Sequence, residues 1–498
     1  MRTIDHWIAG RTTPGGSGHA PVWQPATGSP QARVALAGAE QVDQAVAAAA
    51  KAFEDWADSS LARRTKVLFK LRDLLERHED ALARLITAEH GKTLDDARGE
   101  IVRGREVVEF ACGIPHLLKG AYSDQVSTGV DSYSLRAPLG VCAGITPFNF
   151  PVMVPLWMHP IAIACGNTFV HKPSERDPSP ATLVAELYAD AGLPDGVFNV
   201  VHGDRTAVGA LLDHPGVAAV SFVGSTPVAA EIHRRASASG KRVQALGGAK
   251  NHAVVLPDAD LADAARQIAA AAYGSAGQRC MAISAVVAVG SAADELVDLL
   301  AAQARAIVVG PGDRPESQMG PVVTADARTR VVAAVDAAAQ AGAAIVVDRR
   351  DLRVEGHEDG FFVGPCLLDR VTPAMAAYRQ EIFGPVLVVL RAADLGEALA
   401  IVNASEYGNG TALFTSNGAA ARRFVRGVTA GMVGVNVPVP VPMAYHSFGG
   451  WKASLFGDVH VHGTEGVAFY TRGKVVTSRW PRHDAATAAP TLHFPTAS

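Results

Sequence analysis

The chain alternates apolar runs with helical stretches between residues 141 and 248, and few folds can accommodate that alternation. Strand-to-helix passages occur four times in this stretch, which predicts a parallel, doubly wound sheet. The pattern is typical of a dinucleotide-binding domain. The strand candidates are VCAGIT, NTFVHKP, VFNVVHG, AAVSFVG and RVQALGG.

A second alternating block follows, from residue 251 to about residue 440, and predicts another α/β domain. Residues 38–120 place apolar residues three and four apart, as helices that cover a sheet do. Two extended segments lack obvious partners nearby, and we expect them to pair into a small sheet that reaches a neighbouring subunit. They read YSDQVSTGVDSYSLRAP and VAFYTRGKVVTSRW. The predicted fold class is α/β, with two doubly wound domains and a small oligomerisation β-sheet.

Composition narrows the class of protein. The chain has 498 residues, 48% hydrophobic and 19% charged, which indicates two or three domains with room for deep sites. A net charge of -4 and the lack of a long basic run argue against a nucleic-acid or membrane-surface partner, so small molecules are expected. Five cysteines without paired spacing favour a reducing compartment, and the cytoplasm is the expected location. The sequence shows no signal peptide, no uninterrupted apolar stretch of membrane-spanning length and no metal-ligand spacing.

Cys280 lies among small and polar residues in GSAGQRCMA. Gly274 and Gly277 leave room for a ligand to approach the backbone, and Arg279 beside the sulfur is expected to favour the thiolate. This setting suggests a nucleophile. The alternative is a buried, structural cysteine, as most free cysteines are, and this window alone does not separate the two.

Several strand ends carry groups that could bind a cofactor, although no GxGxxG fingerprint is present. Ser225 in FVGST could offer its hydroxyl and a helix N-terminus to a pyrophosphate, and Glu175 in KPSER could hold ribose hydroxyls beside Lys172. Asn149 in TPFNFP lies between two prolines, just past the first parallel strand, where its amide could donate to an oxyanion. Helix capping, a charged surface loop and a turn are the respective alternatives.

Taken in order, TPFNFP, KPSER, FVGST, LGG, GQRC, EIFGPV and FGGWK resemble the aldehyde dehydrogenase superfamily over nearly the whole chain. The resemblance implies an NAD-binding domain (1–120 and 140–250), a catalytic domain (251–455) and oligomerisation segments (121–139 and 465–498) of a homotetramer. It makes Cys280 the nucleophile and assigns the oxyanion hole to Asn149 with the Cys280 backbone N–H. It also implies that the following residues bind NAD: Thr146, Phe148, Lys172, Glu175, Arg176, Ser225, Gly247 and Glu381.

One position departs from the superfamily pattern. Hydrolytic members carry a glutamate directly before LGG as the base that activates water, and here that residue is Ala245. A thiol needs less activation than water, so coenzyme A is the expected acyl acceptor. The chain looks like the CoA-acylating methylmalonate-semialdehyde dehydrogenase branch, whose substrates carry a carboxylate.

That branch implies arginines for the substrate carboxylate, and Arg103 and Arg279 match. A solvated helix face is the alternative for Arg103, with Arg105 as second choice. The charge of Glu175 favours NAD over NADP. Two other functions stay open at this point: a hydrolytic aldehyde dehydrogenase with a base from elsewhere, such as Glu381, and a non-catalytic nucleotide-binding scaffold. Whether valine or inositol breakdown supplies the substrate is also open.

Overall fold

The structure is a computed structural model, and it describes residues 1–480. The α-helices of this part of the chain are α1 (Ala39–Ala57), α2 (Leu61–Arg77), α3 (Glu79–His90), α4 (Leu94–Cys112), α5 (Met153–Ala164), α6 (Ser179–Asp190), α7 (Arg205–Asp213), α8 (Thr226–Ala238), α9 (Leu261–Tyr273), α10 (Ala292–Ala306), α11 (Ala325–Gln340), α12 (Ala376–Arg379), α13 (Leu395–Ala404), α14 (Gly418–Gly427) and α15 (Gly463–Phe469).

The strands of the described chain form two large sheets of eight and seven strands, two sheets of three strands and one pair. They are β1 (Arg2–Ile4), β2 (His6–Ile8), β3 (Arg11–Thr13), β4 (Gly18–Gln24), β5 (Ser29–Leu36), β6 (Tyr122–Ser127), β7 (Val130–Pro138), β8 (Val141–Ile145), β9 (Thr168–Lys172), β10 (Phe198–Val200), β11 (Val217–Val223), β12 (Arg242–Leu246), β13 (Asn251–Val255), β14 (Ile283–Val289), β15 (Ala344–Val347), β16 (Cys366–Asp369), β17 (Val386–Ala392), β18 (Tyr407–Gly408), β19 (Gly410–Phe414), β20 (Met432–Val435), β21 (Trp451–Lys452), β22 (Leu455–Phe456) and β23 (Thr471–Arg479).

The first large sheet has the strand order β22-β12-β11-β8-β9-β10-β2-β3. Its five central strands, β12 to β10, are parallel and are the five predicted from the alternation, so the predicted fold class is confirmed here. The chain leaves β8 for β9 on one side and later returns to β11 on the other side. The carboxyl ends of β8 and β11 therefore flank the point where strand order reverses, which is where open α/β sheets bind ligands.

The second large sheet has the order β15-β16-β17-β14-β13-β19-β20, parallel except for the β15–β16 pair. Its predicted strands are present, and β16 is an additional one. The four residues of β16 follow Pro365 after a long irregular segment, and so short a run carries no readable periodicity. The strands β1 to β5 before residue 38 were also not predicted, because most have only three residues.

The small sheet has the order β23-β7-β6, and the predicted pairing of the two extended segments is confirmed. The strand read from VAFYTRGKVVTSRW begins later than predicted, since residues up to Phe469 belong to α15. Arg242 Nη1 holds this junction by donating to the carbonyl oxygens of Phe469 at 2.7 Å and Thr471 at 2.8 Å. Of the segment predicted as 465–498, residues 481–498 lie outside the described residues.

Helices cover both faces of the first sheet. Along β8 and β12 the side chains alternate between two buried clusters: Cys142 and Leu246 face the one formed with α2 to α6, and Ala143 and Ala245 face the one formed with α1, α7 and α8. After the second sheet the chain returns to the first sheet, where β22 pairs antiparallel with the end of β12. In residues 1–480, none of the helices has the length and apolar character that a membrane span requires.

Candidate active site

The loop that carries Cys280 is a tight left-handed turn at the end of α9. Ser275 and Ala276 adopt φ values of 53° and 52°, and Gly277 follows with φ 70°. A Cβ on Gly277 would overlap the carbonyl oxygen of Gly384, so a glycine is required at this close approach. Positive φ in serine and alanine costs free energy and occurs mostly where function requires a fixed geometry.

Two asparagines anchor the main chain at Cys280. Asn251 Nδ2 donates to the carbonyl oxygen of Cys280 at 2.8 Å, and Asn409 Nδ2 donates to the same oxygen at 3.1 Å. Asn251 Oδ1 also accepts from the backbone N–H of Gly410 at 3.0 Å. The backbone of Cys280 is therefore held by β13 of the second sheet and by the residue that precedes β19.

The Cys280 thiol lies in a narrow pocket that Glu381 also lines. Burial raises the pKa of the Cys280 thiol to about 12, and the charge of Glu381 acts in the same direction. Arg279 lowers this pKa, but less than burial raises it, and its guanidinium forms an ion pair with Asp96. The expected direction of the Arg279 effect is therefore confirmed, but burial outweighs a charge that is already paired, so the pKa of the thiol is raised overall.

Asn149 is buried, with 4% of its surface exposed, in the turn that follows β8. Pro147 and Pro151 restrict the backbone on either side of it. Its carbonyl oxygen accepts a hydrogen bond of 2.8 Å from Lys92 Nζ. Phe148 of this turn packs edge-on against Phe383 at 5.9 Å, next to Gly384, which the Cys280 loop approaches at Gly277.

Thr146 and Phe148 of this turn, and Arg176 of KPSER, are held by contacts with neighbouring side chains. Thr146 Oγ1 lies 2.8 Å from Nε2 of His171 on the neighbouring strand β9. The guanidinium carbon of Arg176 lies 4.9 Å from the centre of the Phe148 ring, a cation–π contact. Thr146 and the Phe148–Arg176 pair thus lie near the carboxyl ends of β8 and β9.

The remaining predicted cofactor residues lie along the same edge of the first sheet. Lys172 ends β9, and its Nζ lies 3.3 Å from the carboxylate of Glu175. Ser225 precedes α8, is exposed, and makes no capping bond with its side chain. Glu381 comes from the second sheet and accepts from the Ala249 backbone N–H at 3.0 Å, just beyond Gly247. The structure therefore gathers these residues around the ends of β8, β9, β11 and β12.

Position 245, where hydrolytic aldehyde dehydrogenases carry their base, holds a fully buried methyl group. Ala245 pairs with Phe222 on one side and Phe456 on the other, within the cluster on the α8 face of the sheet. The carboxylate whose charge reaches the Cys280 thiol belongs instead to Glu381.

The two predicted substrate arginines line one cavity of about 390 Å³. Arg103 lies on α4 and donates from Nη2 to the carbonyl oxygen of Pro442 at 2.8 Å, while Arg279 reaches the cavity from the Cys280 loop. Arg105, the second choice, instead lies near Glu79, 3.4 Å away. The cavity is lined by Lys92, Asp95, Asp96, Gly99, Glu100, Arg103, Phe150, Met153, Arg279, Val439 and Val441.

Comparison with known proteins identifies the family. The model of the aldehyde dehydrogenase family matches residues 12–476. The chain belongs to the aldehyde dehydrogenase family. This confirms the predicted family, and the chain is accordingly an oxidoreductase.

This aldehyde dehydrogenase is similar to several characterised relatives. It is 53% identical to the malonate-semialdehyde dehydrogenase of Pseudomonas aeruginosa, over 98% of this chain and 99% of that protein. It is 47% identical to the mitochondrial, acylating methylmalonate-semialdehyde/malonate-semialdehyde dehydrogenase of Rattus norvegicus, over 95% of this chain and 89% of that protein.

Two solved structures show the same fold. A methylmalonate-semialdehyde dehydrogenase from Oceanimonas doudoroffii has a TM-score of 0.96 and 54% identity, covering 97% of this chain and 99% of that one. A Sinorhizobium meliloti protein assigned to the same activity was solved in complex with NAD. It has a TM-score of 0.96 and 51% identity, with the same coverage of both chains.

Sequence reasoning missed several residues that hold the site of this aldehyde dehydrogenase together. Asn251 lies within GAKNH but was not recognised as a residue that binds the Cys280 backbone. Asn409 carries no local signal, because the Cys280 carbonyl to which it donates is distant in sequence. Asp96 and Glu100 were also missed. They share one face of α4 with Arg103, at spacings of four and three residues, and that row of charges on an amphipathic helix was the available signal.

The high pKa of the Cys280 thiol predicts how the unliganded enzyme reacts with iodoacetamide. Because only the thiolate reacts, the alkylation rate of Cys280 should rise about tenfold per pH unit from pH 7 to 10 without levelling off. Glu381→Gln removes the nearby negative charge and should raise the rate several-fold at fixed pH, whereas Glu397→Gln, on exposed helix α13, should not. Mass spectrometry of the Cys280 peptide measures this. A plateau below pH 9 would contradict the assignment.

Proposed function

We propose that the chain catalyses NAD-dependent, CoA-acylating oxidation and decarboxylation of malonate and methylmalonate semialdehydes. The products are NADH, CO2 and acetyl-CoA or propionyl-CoA. The observation that carries the substrate class is the cavity shared by Arg103 and Arg279, with Arg279 adjacent in sequence to Cys280. The names of the Pseudomonas aeruginosa and Rattus norvegicus relatives support the same substrates.

The residues at the carboxyl edge of the first sheet fit NAD. Helix α8 presents its N-terminus and the uncommitted hydroxyl of Ser225, donors suited to a pyrophosphate. The Glu175 carboxylate beside Lys172 suits ribose hydroxyls and opposes a 2′-phosphate. NAD, when bound, supplies the hydride acceptor of the reaction. The Sinorhizobium meliloti neighbour with bound NAD supports this choice.

The chemistry starts with the loss of the Cys280 proton. The thiolate adds to the aldehyde carbon, forming a C–S bond while the carbonyl electron pair moves to oxygen. The amide of Asn149 and the backbone N–H of Cys280 are the donors assigned to that oxyanion, and such donors act mainly on the transition state. Loss of the aldehyde hydrogen as hydride leaves an acyl group on Cys280 as a thioester.

Decarboxylation and acyl transfer complete the reaction. The C–C bond to the carboxylate breaks, its electron pair is accepted by the thioester carbonyl, and the α-carbon then takes up a proton. The thiolate of coenzyme A attacks the thioester carbonyl carbon, and Cys280 leaves as the thiolate. The atoms of the carboxylate depart as CO2, and the remaining acyl group leaves on coenzyme A.

The choice of coenzyme A over water rests on the carboxylates around Cys280. Ala245 cannot accept a proton, and Glu381 is held by the Ala249 backbone N–H. A thiol is more acidic and more nucleophilic than water, so it tolerates a site without a dedicated base. Hydrolysis through Glu381 is the second candidate, because its carboxyl pKa is raised by burial and its charge reaches the thiol.

Assembly into a homo-oligomer, a tetramer by family resemblance, is part of the proposal. The sheet β23-β7-β6 is largely exposed on both faces within one chain, and its apolar side chains include Leu135, 47% exposed, and Val475, 73% exposed. A three-stranded sheet without a covered face is marginal in water, so a second copy of the chain is the expected cover.

Omission of coenzyme A tests the acyl acceptor. With malonate semialdehyde and NAD, we expect one burst of NADH per site and then steady-state turnover at least 100-fold slower than with coenzyme A. Mass spectrometry should find acetyl-CoA as the product. Equal steady-state NADH production without coenzyme A, with free acid as the product, would overturn the acylating function; loss of that turnover in Glu381→Gln would then establish the second candidate.

Removal of one arginine tests how the substrate carboxylate is recognised. Arg103→Met should raise the KM for malonate semialdehyde about 10- to 100-fold, the value of a charged hydrogen bond, and leave kcat/KM for propanal within twofold. Arg105→Met, two residues away on the same helix, is the matched control and should change neither. Steady-state kinetics measure both substrates. An equal loss toward propanal would exclude carboxylate recognition by Arg103.

A charged substitution on the small sheet tests whether this sheet forms the contact between subunits. Val475→Glu should shift the mass measured by light scattering to a smaller species, because a carboxylate buried against a second copy is unpaired. Val308→Glu, 47% exposed and in another part of the chain, is the control and should keep the wild-type mass. An unchanged mass for Val475→Glu would place the subunit contact elsewhere.

A further inference from the structure

A buried ion pair lies directly behind the turn that carries Asn149. Lys92 Nζ lies 2.7 Å from Glu100 Oε2, and their side chains are 1% and 0% exposed. Lys92 stands between α3 and α4, and Glu100 lies on α4. Burying two charges costs several kcal/mol per ion before their attraction is counted, so a pair this deep is a poor device for stability alone.

Both members of the pair bind the turn. Lys92 Nζ donates to the carbonyl oxygen of Asn149 at 2.8 Å and lies 4.3 Å from the centre of the Phe150 ring. Glu100 Oε1 accepts from the backbone N–H groups of Val152 at 2.8 Å and Met153 at 3.1 Å. The carboxylate thereby caps the N-terminus of α5, where Val152 provides no side-chain cap.

The pair therefore fixes peptide units at two points of the turn, one before Phe150 and one after Pro151. Lys92 holds the unit that begins at Asn149, and Glu100 holds the start of the helix three residues later. Phe148, on the other side of Asn149, is packed between His90 at 5.8 Å and Phe383 at 5.9 Å. Rotation of the Asn149 peptide would break the Lys92 bond and leave a buried ammonium with one partner fewer.

We propose that Lys92 and Glu100 are positioning residues that aim the Asn149 amide at the oxyanion formed on the substrate of Cys280. The inference deepens the proposed function and rests on the oxyanion role of Asn149. Neither residue touches the reacting atoms by this assignment. Their effect on the rate passes through Asn149 alone, and a displacement of about 1 Å at a donor is enough to cost about 100-fold.

A double-mutant cycle isolates that path. The rate of the NADH burst is measured with malonate semialdehyde for the wild type, Lys92→Met, Asn149→Ala and the double variant. We expect Asn149→Ala to slow the burst about 100- to 1,000-fold, Lys92→Met about 10- to 100-fold, and the double variant to match Asn149→Ala within about threefold. NAD affinity and the alkylation rate of Cys280 should stay within about twofold in Lys92→Met.

Lys241→Met is the matched control. Lys241 is also a buried lysine, 8% exposed, that donates to two backbone carbonyl oxygens, of His214 at 2.6 Å and Val217 at 3.0 Å. Its loss should leave the burst rate within about twofold in both the wild-type and Asn149→Ala backgrounds.

The outcomes separate the two levels of the proposal. If Lys92→Met slows the Asn149→Ala enzyme by the same factor as the wild type, Lys92 acts independently of Asn149 and the positioning role is wrong. If Asn149→Ala leaves the burst unchanged, the oxyanion assignment in the proposed function fails first. If Lys92→Met does not fold, Glu100→Gln replaces it in the cycle, because glutamine keeps the shape of the side chain. A slowing of the burst by about 3- to 30-fold that disappears in the Asn149→Ala background supports the proposal. A slowing that is the same in both backgrounds overturns it.

Discussion

One face of helix α4 is the constraint on which the site depends. Asp96, Glu100 and Arg103 follow one another at helical spacing on that face, and each is engaged by a different element. Asp96 pairs with Arg279 of the Cys280 loop, Glu100 caps the helix after the Asn149 turn, and Arg103 binds the carbonyl of Pro442. A shift of α4 would therefore move the Cys280 loop, the Asn149 turn and Arg103 together.

The parts that the sequence predicts well are those whose signal is local. Five parallel strands with intervening helices leave a repeating pattern within residues 141–248, and the pairing of two isolated extended segments follows from their having no neighbours. The short strands β1, β2 and β3 and the four residues of β16 contain at most two periods of strand alternation, too few to recognise in the sequence. Their structure is decided by tertiary contacts that no local window contains.

The same division holds within the site. Cys280 and Asn149 were singled out because glycines and prolines beside them constrain the backbone, which the sequence shows directly. Lys92 was not found, since its partner Asn149 is 57 residues away and the buried side chain looks like an ordinary helix-flanking lysine. The sequence also did not show that burial would outweigh the charge of Arg279, since Cys280 is its neighbour in sequence but its ion pair with Asp96 spans 183 residues.

Ala245, at the position where hydrolytic members carry a base, is packed inside the first sheet. Its methyl group fills a space between Phe222 and Phe456, where β22 of the returning chain closes the edge of the first sheet. A glutamate there would have to turn out of this apolar cluster or bury a carboxylate without a partner, which costs several kcal/mol. The apolar side chains around position 245 therefore suit an alanine and disfavour a glutamate.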